Sequence, residues 1–443
     1  MVDIKPFKGI LYNKKRIPDF SEVTAPPYDV ISPAEQEALY KQSDSNVIRL
    51  ILGKELKGDD EHNNIYTRAA ATFNQWLQGG ILDQDFVPSI YIYRQEYRLK
   101  NGNAKIRTGF ISLVKLEPFE NGRIRPHEKT LSRTKQDRFN LLKTSRATFC
   151  QIFSLYSDPK NQIDPILNDH TKSSPEVETV DGDGVIHRIW KITDHQFIND
   201  VKEIMKDKTL YIADGHHRYE TALKYQQEMK ESTSGYSDEE LFNYTMMMLV
   251  DMNNQELTVL PVHRALKNLN KEDVAELITN LRPYFYIELF QFDAKNEQDQ
   301  LLNLLTEIET RGKKEHVFGM YAGDSKYYLL TLKDEEILDK VLKQKNAENW
   351  RKLDVAILHS LIIDYILHVK TTASDIQAHI KFVKDDYKAV DLVNSTEYQL
   401  AFFLNPTKVD QVKDISNKGA ILPQKSTYFY PKPLSGLVML RLE

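Results

Sequence analysis

The chain has 443 residues, which is too long for one compact core, so its length predicts two or three domains. Hydrophobic residues make up 41% and charged residues 28%, a composition typical of folded proteins rather than disordered ones. Lys and Arg total 59 against 64 Asp and Glu, and the formal net charge of -5 argues against a protein built mainly to coat nucleic acid.

The sequence carries one cysteine and no segment suited to a membrane. Cys150 cannot form an intrachain disulfide, which fits a reducing compartment. Its apolar, β-prone neighbours favour a buried core thiol, and a catalytic nucleophile is the alternative. The N-terminal stretch lacks an apolar signal core, and no apolar run approaches the roughly 20 residues of a membrane span. We therefore expect a cytoplasmic protein.

Capping and turn residues mark the elements in the first third of the chain. Ser32, Pro33 and Glu35 have the spacing of a helix N-cap, a first helical position and a capping-box partner, so a helix is predicted to begin there. The apolar run NVIRLILG, at 46–53, is interpreted as a strand. An Asn-Gly pair at 101–102, between two β-prone runs, predicts a hairpin.

Strands and helices alternate through the rest of the chain without a fixed repeat. A second hairpin is predicted with its turn at 181–184, and FNYTMMMLVDM, at 242–252, is interpreted as a buried strand. Helices are predicted near 271–281 and 294–311, and a strongly apolar helix is predicted at 353–368.

This element pattern predicts an α+β fold of mixed α and β structure. Strands outnumber clean β-α-β units and mostly form antiparallel hairpins, which favours that class. Three regions are expected: an N-terminal α+β region at 1–145, a core at 146–254, and a C-terminal α+β domain at 255–443. The role of the C-terminal region stays open.

The stretch TLYIADGHHRYETALKY places three basic residues at a predicted strand-to-helix turn. A strand that ends at Asp214, followed at once by a helix, presents backbone N–H groups and the positive end of a helix dipole, which together form an anion site. Gly215 permits the turn and a close approach of a ligand. Arg218 can fork onto phosphate oxygens, and His216 or His217 can donate or shuttle a proton.

Two other interpretations of this motif stay open. Asp214 could be only a helix cap, with the two histidines as a satisfied pair. Asp214, His216 and His217 are also legitimate metal ligands, which would indicate a metal-dependent hydrolase. Adjacent histidines on a helix point about 100° apart, however, so they rarely chelate one ion together. The sequence also has no HExxH motif and no cysteine cluster.

A second cluster of cations lies in RPHEKTLSRTKQDRFNLLKTSRATF. Like charges crowd one side of the predicted helix instead of forming opposite-sign pairs, so Arg133, Lys135 and Arg138 fit a phosphate clamp. Glu128 or His127 is a candidate general base among them. A nucleic-acid backbone patch and a plain solvated face are the alternatives.

The residues IADGHHRYETAL resemble the signature of the ParB/sulfiredoxin superfamily, in which a strand leads into Gly-x-His-Arg-Tyr or Gly-Glu-Arg-Arg at the start of a helix. In that superfamily the turn and its basic residues hold nucleotide phosphates: sulfiredoxin uses ATP, ParB uses CTP, and free serine kinases use ATP or ADP. His216 stands where sulfiredoxin carries a reactive cysteine, so the resemblance does not support sulfinic acid repair. It points instead to the free serine kinases, which carry an Asp-Gly-x-x-Arg version of the motif.

Further segments carry a second resemblance along nearly the whole chain. They are APPYDVIS, NVIRL, HEKT, KQDR, ADGHHRYETAL and KSTYFYPKPLSGL. With them the chain is identified as a member of the bacterial domain-of-unknown-function 1015 family. That membership implies little chemistry by itself, and the superfamily resemblance covers mainly the core around 209–250.

The superfamily resemblance implies a nucleotide phosphate site. The residues carried over to it are Asp214, Gly215, His216, His217 and Arg218. The clamp cations Arg133, Lys135 and Arg138 are expected to join them, and Mg²⁺ is expected as a bridge with Asp214 as its contact. The nucleotide would be ATP or ADP, with CTP as the alternative.

The remaining site predictions concern catalysis and the substrate. Glu128 is the candidate base that deprotonates a substrate hydroxyl, with His127 and His217 as further catalytic candidates. Tyr28 and Asp29, in a rigid Pro-Pro loop, are expected to face the substrate or the base. Lys425 and Thr427 are expected to close the site, although a C-terminal packing motif explains them equally well.

Together these features predict a nucleotide-dependent phosphotransferase that acts on a small hydroxyl metabolite, with free L-serine or phosphoserine as the first candidate. The alternative is a non-catalytic nucleotide-binding switch or regulatory protein, and a metal-dependent hydrolase is a third hypothesis. A small-molecule substrate is the expected partner. Neither a membrane nor nucleic acid is expected, and a homodimer stays open.

Overall fold

A computed structural model describes residues 1–341, 348–370 and 376–442 of the chain. The chain forms two compact units. Unit 1 comprises Met1–Pro126, Thr130–Thr258 and Pro431–Glu443, and unit 2 comprises His127–Lys129 and Val259–Tyr430. The sequence-based division at 145 and 254 stays a prediction of domain boundaries.

Unit 1 contains most of the strands and the first seven α-helices. In chain order its elements are β1 (Ile4–Lys5), β2 (Ile10–Tyr12), α1 (Pro33–Gln42), α2 (Ile48–Ile51), α3 (Ile65–Gln78), β3 (Leu82–Gln84), β4 (Ile90–Arg98), β5 (Ala104–Lys115), β6 (Ile124–Arg125), α4 (Ser132–Ser145), β7 (Ala147–Thr148), β8 (Ile152–Tyr156), α5 (Ile163–His170), β9 (Val177–Val180), β10 (Ile186–Ile192), α6 (His195–Met205), β11 (Leu210–Asp214), α7 (His216–Ser232) and β12 (Tyr244–Asp251).

The elements of the later part of the chain belong mainly to unit 2. They are β13 (Thr258–Leu260), β14 (His263–Leu266), α8 (Lys271–Leu281), β15 (Phe285–Gln291), α9 (Glu297–Arg311), β16 (Val317–Tyr321), β17 (Lys326–Leu332), α10 (Glu336–Val341), α11 (Glu348–Arg351), α12 (Asp354–Ile357), β18 (Ile380–Val383), α13 (Asp386–Asn394), β19 (Leu400–Phe403), α14 (Val409–Asn417), β20 (Tyr428–Tyr430) and, back in unit 1, β21 (Leu440–Arg441).

A nine-stranded mixed sheet organises unit 1. Its order is β6-β11-β8-β12-β5-β4-β10-β9, and β1 pairs with β5 outside this path. Most neighbours are antiparallel, but β12 runs parallel to β8 and β11 runs parallel to β6. Because β11 is antiparallel to β8, the end of β11 at Asp214 lies beside the beginning of β8. This sheet places the predicted phosphate motif at one edge of the strands.

Several sequence-based predictions in unit 1 are confirmed. Ser32 caps α1, and the Glu35 carboxylate accepts a hydrogen bond from the backbone N–H of Ser32 at 2.6 Å, so the capping box is complete. The Asn-Gly pair at 101–102 joins β4 and β5, whose residues pair antiparallel throughout. The strand predicted at 242–252 is β12, and all of its residues are buried.

The strand predicted at 46–53 is wrong, because this segment contains the short helix α2. The side chain of Asn46 accepts a hydrogen bond from the backbone N–H of Ile48 at 2.9 Å and donates to the carbonyl of Glu22 at 2.8 Å. These bonds fix the first turn of the helix. An apolar run buried on all sides has no periodicity that separates a strand from a helix, so the pattern alone did not decide it.

A six-stranded antiparallel sheet organises unit 2, in the order β15-β17-β16-β19-β14-β18. The apolar segment at 353–368 is helical as predicted, with α12 continuing into a π-helix over Leu358–Ile366. Its leucines and isoleucines pack into the core on one side of the sheet. The mixed α/β class predicted from the sequence is confirmed.

Within the described ranges, no helix is long and apolar enough to cross a membrane.

Candidate functional site

The turn between β11 and α7 consists of one residue. Gly215 has a φ of +95°, in the left-handed region that glycine adopts at little cost. A Cβ atom added to it would lie 2.9 Å from Nε of Arg218. The conformation therefore favours glycine here, as the sequence predicted, and an added side chain would have to displace the Arg218 guanidinium.

Asp214 lies between two cations at the end of β11. Its Oδ2 accepts a hydrogen bond from Arg218, one helical turn later, and its Oδ1 accepts from the ammonium group of Lys432. Arg218 also donates to the backbone carbonyl of Gln151, the residue before β8. Asp214 is thus buried as the common anchor of a guanidinium and an ammonium group.

Positive charge exceeds negative charge in this group. Two cations face one carboxylate at the N-terminal end of α7, where the helix dipole adds further positive potential. Nε of Arg218 is buried and donates to no acceptor among the residues that the structure describes. An unused guanidinium donor beside a helix N-terminus has the chemistry of an anion site.

The same contacts bear on the Mg²⁺ contact expected at Asp214. Both carboxylate oxygens of Asp214 already accept hydrogen bonds from cations. In the described part of the chain, no group of three His, Cys, Asp or Glu side chains could hold a metal ion. The described residues therefore form no protein-built Mg²⁺ site, and Asp214 anchors two cations. Mg²⁺ as a bridge to nucleotide phosphates stays a prediction.

The two histidines of the motif differ in their surroundings. His216 is the first residue of α7 and is buried, with 6% of its surface exposed. His217 Nε2 accepts a hydrogen bond from the backbone N–H of Leu131 at 3.0 Å. Leu131 is the N-cap of α4, and its side chain makes no capping bond, so His217 helps to fix the start of that helix. The lone pair on Nε2 is therefore already used.

The three predicted clamp cations on α4 point to different places. Arg138 is buried, donates to the carbonyl of Ile51 at 2.7 Å, and stacks its guanidinium 4.1 Å from the ring centre of Tyr28. Lys135 pairs with Glu220 of α7 at 2.7 Å. Arg133 is exposed. Of the three, only Arg138 lines the cavity beside Arg218.

A small cavity brings several predicted site residues together. It encloses about 60 Å³, and its lining includes Tyr28, Arg138 and Arg218 together with apolar residues and threonines. The neighbouring Asp29 is exposed on the 3-10 helix Tyr28–Val30. At this size the cavity is far below the roughly 300 Å³ at which small-molecule pockets begin.

Cys150 also lines this cavity, and its thiol is buried. Its sulfur donates to the hydroxyl of Ser435 at 2.8 Å. Burial raises the pKa of the Cys150 thiol, against the opposing charges of Arg218 and Arg138. A thiol that resists ionisation is a poor nucleophile, so the structure favours the core thiol over the catalytic alternative.

Sequence reasoning missed Lys432. Lys432 belongs to the segment KSTYFYPKPLSGL, which carries the family resemblance. From that segment the sequence predicted Lys425 and Thr427 as site residues instead. The contact depends on a chain separation of 218 residues, which no local pattern reveals.

The other four predicted residues lie together in unit 2. His127 Nε2 contacts Thr427 Oγ1 at 2.8 Å, and Glu128 Oε1 accepts from the backbone N–H of Ser426 at 3.2 Å. Thr427 Oγ1 also lies 3.4 Å from Glu128 Oε1. Lys425 adopts a φ of +52°, and its carbonyl accepts from buried Arg264 at 3.1 Å. The structure therefore shows a backbone role for Lys425.

The family model described as "Protein of unknown function (DUF1015)" matches residues 4–356 of the chain. No curated protein sequence matches this chain. Because this match spans most of the chain, it supports the family resemblance found in the sequence.

Solved structures show only a loose similarity. A free serine kinase mutant in complex with ADP is 11% identical, with 72% of this chain and 87% of that chain covered and a TM-score of 0.34. A conserved hypothetical protein from Pyrococcus furiosus is 12% identical, with 75% and 95% covered and a TM-score of 0.34. SbnI with C-terminal truncation from Staphylococcus aureus is 10% identical, with 73% and 85% covered and a TM-score of 0.32. TM-scores this low say nothing about the site.

Proposed function

The chain belongs to the DUF1015 family, and we propose that it is a nucleotide-dependent phosphotransferase acting on a small hydroxyl metabolite. The β11–α7 turn is proposed as a ParB/sulfiredoxin-like site for the nucleotide phosphates. ATP or ADP is the first nucleotide candidate, with CTP as the alternative. Free L-serine, or phosphoserine in the reverse direction, is the first acceptor candidate. These finer assignments rest on the motif resemblance together with the charges at the turn.

The unused donor of Arg218 is the observation that carries this proposal. A buried guanidinium nitrogen without an acceptor costs about 1–3 kcal/mol, so an anion that accepts from it would recover stability. The side-chain oxygen of Gln151, the residue whose carbonyl accepts from Arg218, is likewise buried without a described partner. Polar groups left unsatisfied at one turn are expected where a ligand completes the site.

Phosphoryl transfer suits such a site because it depends on positioning and charge stabilisation more than on covalent chemistry by the protein. In the forward direction the bond between the terminal phosphorus of the nucleotide and its bridging oxygen breaks, a bond from the acceptor oxygen to phosphorus forms, and the nucleotide shortened by one phosphate leaves. The acceptor's hydroxyl proton must leave, and Glu128 is the base proposed from the sequence. His127 and His217 remain further catalytic proposals, and no step here uses a metal.

A nucleotide-binding protein without transfer chemistry is the second candidate. One observation favours it: two of the proposed proton acceptors are already engaged, His217 Nε2 by Leu131 and Glu128 Oε1 by Ser426. Such a protein would bind nucleotide with the same Arg218 site but would not phosphorylate a hydroxyl acceptor.

The test begins with thermal unfolding in the presence of ATP, ADP, CTP or inorganic phosphate. A ligand that binds only the folded chain raises Tm in proportion to RT ln(1 + [L]/Kd). We expect a rise for the wild type that Arg218→Ala abolishes. Arg68→Ala is the control, because Arg68 is likewise paired with an aspartate of unit 1, Asp59, but does not line the cavity.

Transfer from radiolabelled ATP to L-serine then separates the two candidates. Labelled phosphoserine indicates the phosphotransferase, whereas nucleotide binding without transfer to serine or other small hydroxyl compounds indicates the switch. If no nucleotide or phosphate raises the wild-type Tm, both candidates are wrong.

A further inference from the structure

A second cavity of unit 1 lies at the other end of α7 from the phosphate motif. It measures about 340 Å³, within the range of small-molecule sites. The polar residues that line it are Asp3, Lys115, Glu117, Asn121, Gln226 and Lys230. It shares no lining residue with the cavity beside Arg218. Any ligand held here therefore occupies a separate site.

Glu117 lines this cavity, and its carboxylate contains one unsatisfied acceptor. Its carboxylate oxygen Oε1 is buried and accepts no hydrogen bond from any residue in the described ranges. A buried carboxylate oxygen without a donor is unfavourable, and an ammonium group is the donor that satisfies it best. The cavity wall thus offers a place for a positively charged group.

The opposite charge is also present. Lys230, near the end of α7, forms no ion pair with a described residue. Its ammonium group lies 5.7 Å from the ring centre of Tyr236. The ammonium nitrogen of Lys115 lies 3.7 Å from Oδ2 of Asp238, which is long for an ion pair. Acidic and basic groups both line the cavity, which suits a ligand that carries both signs.

Neutral hydrogen-bonding groups complete the lining. Gln226 is 9% exposed, and its amide nitrogen donates to Asn243 at 3.0 Å, which fixes the side chain in one orientation. Asn121 ends a short 3-10 helix at the cavity wall. An oriented amide, a carboxylate and a lysine ammonium group thus belong to residues that line a volume suited to a compact polar molecule.

We propose that this cavity binds a small zwitterion of the α-amino acid class, with its ammonium group on Glu117 and its carboxylate near Lys230. The site goes beyond the phosphate site and does not depend on it. The two are connected through α7: Tyr219, directly after Arg218, donates its hydroxyl to the carbonyl of Glu117 at 2.8 Å and accepts from its N–H at 3.1 Å. A ligand on Glu117 therefore acts on a segment that the motif helix holds directly.

The test uses the full chain and the standard L-α-amino acids, added one at a time and measured by isothermal titration calorimetry. We expect at least one to bind, and Glu117→Gln to weaken that binding at least tenfold, because the amide has no charge for the ammonium group. Glu120→Gln is the matched control, since Glu120 is exposed in the same segment and does not line the cavity. It should leave the binding unchanged.

Arg218→Ala separates this proposal from the phosphotransferase. Amino acid binding that survives in Arg218→Ala and is lost in Glu117→Gln supports the second site, even if no nucleotide binds. Binding that is lost in Arg218→Ala and kept in Glu117→Gln places the amino acid in the phosphate site and overturns the proposal. If no amino acid binds the wild type, the proposal is overturned as well, and the cavity holds only solvent.

Discussion

Arg218 donates a hydrogen bond back to Asp214 across a glycine in the left-handed conformation. The bond joins the last residue of β11 to the first turn of α7, so the turn is held by a charge pair as well as by its backbone. Lys432 approaches the same carboxylate from the C-terminal segment. Because one aspartate orients two cations, the positive groups are fixed in place before any anion arrives, which reduces the entropy lost on binding.

Replacing the turn glycine tests this arrangement. Gly215→Ala should lower the free energy of unfolding by about 2–3 kcal/mol, because alanine at this φ is strained and its Cβ would displace the Arg218 guanidinium. Gly102→Ala is the control, because Gly102 has a φ of +84° but open space where a Cβ would lie. The free energy of unfolding of this variant should fall by only about 1–2 kcal/mol. Urea unfolding measures both. Equal losses for the two variants would show that Arg218 is not displaced.

The cations of α4 give a second prediction. Arg138→Gln should weaken ADP binding at least tenfold, about 1.4 kcal/mol, because Arg138 lines the cavity beside Arg218. Arg133→Gln should change it by less than about twofold, because exposed charges away from a ligand contribute little. Calorimetric titration with ADP compares them. If Arg133→Gln weakened ADP binding more than Arg138→Gln, the result would support the phosphate clamp predicted from the sequence and contradict the placement of Arg133 in the structure.

Local signals predicted more of the fold than of the site. Ser32 and Glu35 lie three residues apart, and the turn at 101–102 joins adjacent strands, so their patterns are complete within a few residues. The strand predicted at 46–53 was wrong because the conformation of this segment depends on the hydrogen bond from Asn46 to the distant carbonyl of Glu22. Buried apolar runs acquire their structure from partners that a short window does not contain.

The site shows the same limit. The sequence marked Gly215 and Arg218 because a strand-turn-helix pattern has its own chemistry. Arg133 and Arg138 are five residues apart and therefore point about 140° apart on a helix. The sequence could not show which of the two sides is buried. Nor could it pair Lys432 with the motif. Charge counts along a chain do not indicate which cations are already neutralised.

A buried acidic cluster predicts an unusual pH dependence of stability. Burial, together with the nearby charge of Asp251, raises the pKa of Asp164, and the carboxylate oxygen Oδ1 of Asp164 is buried without a described partner. Burial also raises the pKa of Asp251, while Asp158 is paired with Lys208 at 3.0 Å. A raised folded-state pKa favours the fold below the unfolded value of about 3.9, and that contribution is lost as the pH rises through the folded value.

Asp164→Asn should therefore stabilise the protein at neutral pH, by about 1 kcal/mol, because it removes a buried charge and keeps an oxygen for Asn254. The gain should shrink as the pH falls and should be smallest below pH ~3, where the wild-type carboxyl is protonated in both states. Asp169→Asn, on the same helix, is the control of opposite sign, since a hydrogen bond from Lys172 lowers the pKa of Asp169. Urea unfolding across this pH range measures both. A loss of stability in Asp164→Asn at neutral pH would contradict the prediction.

The assignment of Glu128 as a base makes the sharpest prediction about catalysis. Glu128→Gln should reduce phosphate transfer at least ~100-fold, because an amide cannot accept the hydroxyl proton, while ADP still binds within about twofold of the wild-type affinity. Thr427→Val is the control for a merely structural effect, since it removes the hydroxyl that lies 2.8 Å from His127 Nε2 and 3.4 Å from Glu128 Oε1. We expect that variant to keep most of its turnover. Full turnover in Glu128→Gln, or equal losses in both variants, would show that Glu128 holds the Ser426 backbone rather than taking the proton.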